Sequence, residues 1–350
     1  MHTSRRVSWL SSFLVALVAI GCGPRSLPQR SSPALEPTGA SPVLDGLVAL
    51  DQRRDGVFSV YTEDEAIIQR MTDGTLTELF RYGGGADKLV SRADDDVLVA
   101  SYDEIFRWDG VQLVDLTPRL EAALLLGLPF AGLRVTALDL AADGTVVAAV
   151  TLTGQGETAP FGQLCTLPPS GADVCEALEP ISGDELASAS AVIVEGARTY
   201  LVAEEQLYLR EAGGAFSPLT ADRVPFLMSI EGGRVGYVRE TSSGSALHVL
   251  GPDGSEERRV ESAWFVTGHS AAGLWEPTVD WEGDGSCGSF SWSTCHEATL
   301  WTQLTVVHLG EERREVAHLD NLPFAPLVLP LADGSLRLEI DGQVYEIDAP

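Results

Sequence analysis

Short apolar runs recur along this chain, most of them after an Asp-Gly, Gly-Gly or acidic turn. The phrase appears seven times: at Asp55-Gly56, Asp94-Asp95-Asp96, Asp143-Gly144, Ala197-Arg198, Gly232-Gly233, Ala272-Gly273 and Asp333-Gly334. Asp-Gly and Gly-Gly supply positive φ at little steric cost, so such a pair between β-branched runs predicts a tight hairpin. After most turns a further strand with an aromatic or branched core is readable, as in Ile105-Phe106-Arg107-Trp108, Leu207-Tyr208-Leu209 and Val344-Tyr345-Glu346-Ile347. A fourth is readable at 76–80, 111–116, 216–219 and 314–318. The unit is therefore four strands, and the chain is all-β.

The polarity within the runs selects an architecture. Val97-Leu98-Val99-Ala100 and Val146-Val147-Ala148-Ala149-Val150 are apolar in succession, which a strand needs when both faces of its sheet are covered. A two-sheet sandwich leaves one face wet, and its strands alternate. A repeat of this length made of four-stranded sheets predicts a β-propeller. Seven turns predict seven blades, with six or eight as alternatives. Leu336-Arg337-Leu338-Glu339-Ile340-Asp341 does alternate, which marks a wet edge or a break in the ring. The last unit lacks a fourth strand, and a strand within 43–50 either completes it or begins the first unit. Insertions stretch the repeat at 118–132, 154–162 and 280–295.

These Asp-Gly blades resemble bacterial TolB-like and NHL-like propellers. They lack the Trp-Asp ending of WD40 blades. Ala142-Asp143-Gly144-Thr145 matches only a fragment of the sialidase-type Asp box. The resemblance implies a platform with a central funnel and leaves its chemistry open.

The N-terminus has a different pattern. Arg5 and Arg6 precede an apolar stretch over 7–20, long enough for a signal peptide and short for a membrane span. It ends in Ala19-Ile20-Gly21-Cys22, which resembles a bacterial lipobox, although Ala19 stands where that pattern prefers Leu. The resemblance implies a signal peptide over 1–21 and diacylation of Cys22. Gly rather than Asp after the Cys resembles lipoproteins sent to the outer membrane. The segment 22–42, rich in Pro and Ser, then predicts a flexible tether, and 43–350 the propeller domain.

Composition narrows the partners. Of 350 residues, 45% are hydrophobic, which is too many for a disordered chain. Asp and Glu number 51 against 23 Lys and Arg, for a formal charge of −28, so binding to nucleic acid through phosphates is excluded. The same acidity opposes electrostatic docking on an anionic membrane. With Cys22 acylated, Cys165, Cys175, Cys287 and Cys295 remain as two close pairs, and export would permit a disulfide in each. Zinc is the alternative, but neither pair has C-x-x-C spacing, and His296 is the one nearby His.

Three motifs carry candidate chemistry. Gly268-His269-Ser270-Ala271-Ala272 imitates a nucleophile elbow, yet Gly273 and Pro277 forbid the helix that must follow, so a plain turn is expected. Asp280, Glu282 and Asp284, with Gly285 next, space oxygen ligands like the first half of a calcium loop; later acidic ligands are missing, and the alternative is a solvated acidic loop. Trp264, Trp275, Trp281, Trp292 and Trp301 cluster, as core packing or as rings for sugar or peptide stacking. The six His show no metal spacing.

The expectation is a non-catalytic, lipid-anchored propeller facing the periplasm or the cell exterior and binding a protein or glycan, without a cofactor unless Ca2+ occupies that loop. By analogy it resembles the propeller lipoprotein of outer-membrane assembly machines. The alternative is a propeller hydrolase or lyase acting on a saccharide or lactone-like substrate with carboxylates gathered at the funnel.

Overall fold

The computed structural model describes residues 29–349, apart from 33–34, 42–48, 55–56, 62–64, 73–74, 84–85, 94–95, 125–129, 155–160, 179–187, 213, 264–265, 269, 283–299, 321–326, 332 and 341. The chain enters as two short strands, β1 (Gln29–Ser32) and β2 (Gly39–Ala40), whose partners come last in sequence. Sheet one follows with β3 (Ala49–Arg54), β4 (Val57–Tyr61), β5 (Ala66–Thr72) and β6 (Thr75–Tyr82). Sheet two is β7 (Lys88–Ala93), β8 (Asp96–Ala100), β9 (Ile105–Asp109) and β10 (Leu113–Asp115). A single helix among the described residues, α1 (Thr117–Ala123), leads to sheet three: β11 (Phe130–Leu140), β12 (Val146–Gly154), β13 (Phe161–Leu167) and β14 (Val174–Ala177).

Sheet four is β15 (Ala189–Glu195), β16 (Arg198–Ala203), β17 (Gln206–Arg210) and β18 (Ser217–Pro218). Sheet five is β19 (Arg223–Ile230), β20 (Arg234–Thr241), β21 (Gly244–Leu250) and β22 (Glu256–Glu261). Sheet six contains β23 (Trp275–Glu282), β24 (Leu300–Leu309) and β25 (Arg313–Asp320). Sheet seven contains β26 (Leu327–Pro330), β27 (Leu336–Ile340) and β28 (Gln343–Ile347). All pairings are antiparallel between consecutive strands, except that β1 joins sheet six beside β25 and β2 joins sheet seven beside β28.

What packs these sheets is an apolar cluster at each of the six junctions from sheet one to sheet seven. In β12, Val146, Ala148 and Val150 face sheet two with Val90, Leu98 and Ile105, while Val147 and Ala149 face sheet four with Val192 and Leu201. Neither face meets water, so the strand is apolar throughout. Comparable clusters fill the junctions one–two, four–five, five–six and six–seven. Full burial of each such Val, Leu or Ile contributes about 1.5–3 kcal/mol before chain entropy opposes it. Sheets stacked face to face in this order make a β-propeller.

The turns repeat one geometry. In Asp143-Gly144-Thr145, Asp253-Gly254-Ser255 and Asp333-Gly334-Ser335, the Asp Oδ1 accepts the N–H two residues on at 2.9 Å, and the Gly sits at φ 81°, 81° and 90°. Turns after each sheet's first strand share one end of the molecule, here the hairpin face. The opposite end, the connection face, carries the turns between second and third strands and the links from sheet to sheet.

The sixth sheet departs from the others. Its inner edge is held to β23 through Thr267, which exchanges two backbone hydrogen bonds with Trp275 at 2.8 Å. The segment 266–268 thus takes the innermost place, β23 is second, and β1 is a fifth, outermost strand. The turn 268–273 then lies on the hairpin face beside that of sheet seven. There the two backbones touch: a Cβ on Gly273 would come within 2.2 Å of the Gly334 carbonyl oxygen, so only glycine fits. Trp275, fully buried, donates Nε1–H to that carbonyl at 3.1 Å.

Two expectations are corrected. The tether expected over 22–42 contains β1 and β2, so the strands that finish sheets six and seven come from the N-terminal side, and β3 begins sheet one. Gln29-Arg30-Ser31-Ser32 carries no apolar signal in the sequence, and its strand character comes from pairing with β25. The alternation in β27 marks no wet edge either. Leu336, Leu338 and Ile340 face sheet six, and Arg337 and Glu339 are buried on the opposite face, 4% and 0% exposed. They pair at 2.9 Å, and Ser41 donates to Glu339. By the period of two, this pair lies on the face turned away from sheet six.

Two outcomes are expected. Glu339→Ala leaves Arg337 buried without its carboxylate and should cost about 3–5 kcal/mol in denaturant unfolding, whereas replacing both by apolar residues of similar volume should cost far less. Hydrogen bonds from Ser255 and Ser335, and the backbone bond from Thr145, hold Asp253, Asp333 and Asp143 below the ordinary carboxylate value of 3.8. Each binds its proton less readily folded than unfolded, so its stabilisation is complete above that value and fades as pH falls below it. The stability gap between the native chain and Asp333→Ala should accordingly be present at pH 7 and shrink at pH 2.5 in urea titrations.

Candidate functional site

The inner strands end at the hairpin face, and four of them bring charged or hydroxyl side chains together there. Arg92 is next to last on β7, Asp139 next to last on β11, Glu195 last on β15 and Ser229 next to last on β19. Each inner strand reaches its turn near the axis, so residues at matching positions of successive sheets meet across it.

Arg92 is the centre. Its Nη1 donates to Glu195 Oε1 at 2.7 Å, and its Nη2 donates to Asp139 Oδ2 at 3.1 Å and to the Val194 carbonyl at 2.7 Å. Asp139 Oδ2 also accepts the Val194 N–H at 2.7 Å, and Ser229 Oγ donates to Glu195 Oε1 at 2.7 Å. One sheet back, Arg70 Nη2 donates to Ser91 Oγ at 2.7 Å. Side-chain exposure is 18% for Arg92, 11% for Glu195 and 0% for Asp139. Burial disfavours the charged guanidinium, but the fields and hydrogen bonds of Asp139 and Glu195 outweigh it and hold Arg92 above its ordinary value.

Chemically this is a clamp. A fixed cation serves two carboxylates from different sheets, and the carboxylates take further donors from Val194 and Ser229. Both carboxylates are held by the same guanidinium, at 3.1 Å for Asp139 and 2.7 Å for Glu195.

Around this face, side chains of one sheet hold the turn of the next. Arg107, bidentate to Asp96 at 2.8 and 2.9 Å, donates to the Gly144 carbonyl at 2.9 Å. Arg258 donates to the Ala271 carbonyl at 2.7 Å. Within sheet six, His308 Nε2 lies 2.7 Å from the Ala272 carbonyl of the sheet's own turn, with its ring edge-on to Trp275.

The sequence-predicted residues fare as follows. Cys165 and Cys175 face each other on β13 and β14 and form a disulfide of 2.02 Å. Cys22, Cys287, Cys295 and Asp284 lie outside the described residues. Asp280 and Glu282 lie on β23, opposite Gln303 and Leu300, so the first two positions of the proposed calcium loop are strand positions. No group of three or more His, Cys, Asp or Glu that could hold a metal occurs among the described residues. Ser270 lies in a turn closed by the Gly273 N–H at 3.1 Å, in place of an elbow. Of the tryptophans, Trp275 is core, and Trp281 stands opposite Trp301 in the β23–β24 ladder. Sequence reasoning missed the Arg92 clamp, because its members are spread from 92 to 229. A usable signal was there: Ser91-Arg92-Ala93, Leu138-Asp139-Leu140 and Val194-Glu195-Gly196 each put a charge at the end of an apolar run, just before the turn.

Comparison with known proteins gives resemblance in shape alone. No family model and no curated protein matches the sequence. Among solved structures, a protein of unknown function from Bacteroides caccae aligns at 10% identity and TM-score 0.41, over 73% of this chain and 90% of that one. The Pan2 WD40 domain of Neurospora crassa aligns at 9% identity and TM-score 0.43, over 89% and 91%. Porphyromonas gingivalis dipeptidyl peptidase 4 aligns at 9% and 0.44, and the match spans 84% of this chain and 50% of the peptidase. The propeller assignment rests on the sheets themselves.

Removing the clamp's cation tests its role. Arg92→Ala should cost about 3–5 kcal/mol in denaturant unfolding, since it leaves Asp139 buried without its cation, and adding Asp139→Asn should restore part of the loss. A cost below about 1 kcal/mol would mean that the carboxylates are not held by Arg92.

Proposed function

We propose that the chain is a lipid-anchored β-propeller binding protein of the bacterial cell envelope, attached through Cys22 to the outer membrane and presenting its platform to a protein or glycan. The observation that carries the non-catalytic reading is the Arg92 clamp. Asp139 and Glu195 are the paired carboxylates a propeller hydrolase or lyase would use, and both are engaged by one arginine that also ties their sheets together. Groups fixed in this way contribute to shape more than to proton transfer.

The anchor rests on the sequence: Arg5 and Arg6, the apolar stretch over 7–20, and Gly21-Cys22. The Cys165–Cys175 disulfide fits an oxidising compartment outside the cytoplasm. The acidity sets aside nucleic acid as the ligand, and it suits a platform held by lipid instead of by charge. Removal of 1–21 takes away two arginines and no acid, so 21 − 51 gives a mature charge of −30.

The test is made in cells fed labelled palmitate. The native chain should carry label and sediment with outer membranes; Cys22→Ser should lose the label and become soluble. Equal labelling or equal sedimentation of the two would contradict the anchor. For the non-catalytic reading, a double Asp139→Asn, Glu195→Gln variant should retain any partner recovered by the native chain from solubilised membranes. A saccharide- or lactone-cleaving activity that this variant abolishes would overturn it.

A further inference from the structure

We propose that the anchored propeller is held with its connection face towards the bilayer at sheet six, which leaves the hairpin face and the Arg92 clamp turned to solvent. The inference rests on acylation of Cys22 and adds to it an orientation, with a lipid surface as the partner of one face.

Three observations fix it. First, β1 is part of the ring: Gln29, Arg30 and Ser32 stand opposite Asp320, Leu319 and His318 on β25. Only residues 23–28 therefore separate Cys22 from the ring, where the sequence pattern had suggested a tether over all of 22–42. Seven residue steps from Cys22 to Gln29 span at most about 25 Å fully extended, and a flexible chain of that length averages about 15 Å.

Second, the point of entry is at one end of the sheet. Gln29 is level with Asp320, the last residue of β25, at the connection-face end of that strand. The chain then runs along β1 towards the hairpin face, crosses to sheet seven and returns through β2, where Gly39 and Ala40 stand opposite Val344 and Gln343. Third, Asp320 stands opposite Gln303, six residues short of Leu309 at the hairpin end. Those six residues amount to about 20 Å of strand. To rest the hairpin face on lipid, the tether would have to double back along β1 and stay stretched beyond its average reach, at a cost in chain entropy. The connection face needs no such stretch. The entry lies on the outermost strand, so the contact is at the rim and not on the axis.

Energy transfer from a dye on the protein to an acceptor lipid measures this directly. The natively acylated full chain is placed in phosphatidylcholine vesicles with the dye, coupled to an introduced azidophenylalanine, at Ser243 or at Glu231. Both residues are exposed on sheet five next to sheet six; Ser243 is in the turn after β20 on the connection face, and Glu231 is in the turn before it on the hairpin face. An eight-residue strand separates them by about 26 Å. Transfer from Ser243 should exceed transfer from Glu231 at least twofold, and a 20-residue Gly-Ser insertion between Ser26 and Leu27 should bring the two together. Equal transfer, or more from Glu231, in a chain that does carry palmitate overturns the orientation alone. Absence of palmitate overturns the anchor and the orientation together.

Discussion

Every sheet in this molecule has two faces, and both must be kept from water. That constraint decides the rest. A sheet apolar on one side can pair with one other sheet and stop; a sheet apolar on both sides needs a neighbour on each, and the series ends only when the last covers the first. β12 illustrates it, with alternate residues buried against sheets two and four. In β27 the face turned away from sheet six carries the buried Arg337–Glu339 pair. A buried ion pair adds little stability over an apolar contact of the same volume, but it tolerates few alternative partners.

The stitching by β1 and β2 follows from the same need. Sheet seven would otherwise end at β28, with its outer edge open to other chains. Strands from the N-terminal side close it, so the two chain ends are joined by backbone hydrogen bonds as well as by side chains. This also ties the N-terminal side of the chain into the fold. On the hairpin face, the Arg92 clamp and the arginine-to-turn bonds tie sheets to one another where the inner strands converge.

Much of the fold was legible. Seven turns, runs apolar in succession and four strands per unit led to the propeller, because these are local signals with local causes. The Cys165–Cys175 pair was legible for the same reason, being two strands of one hairpin. What stayed hidden depends on distant partners. Gln29-Arg30-Ser31-Ser32 looks like a linker because its strand character comes only from β25, almost three hundred residues later. Arg337 and Glu339 look exposed because alternation does not reveal that the polar face is also covered. The clamp was illegible because Arg92, Asp139 and Glu195 acquire meaning only when the ring brings their strand ends together.

The central claim is that the ring is closed by strands that precede the first sheet, and backbone hydrogen exchange on the intact chain tests it most directly. The amides of 29–32 and 39–40 should exchange slowly, in step with β25 and β28, and should lose protection together with them as denaturant is added. If those amides exchange at the rate of an unstructured peptide while β25 and β28 stay protected, the N-terminal strands are not part of the ring, and the short tether derived from them is wrong.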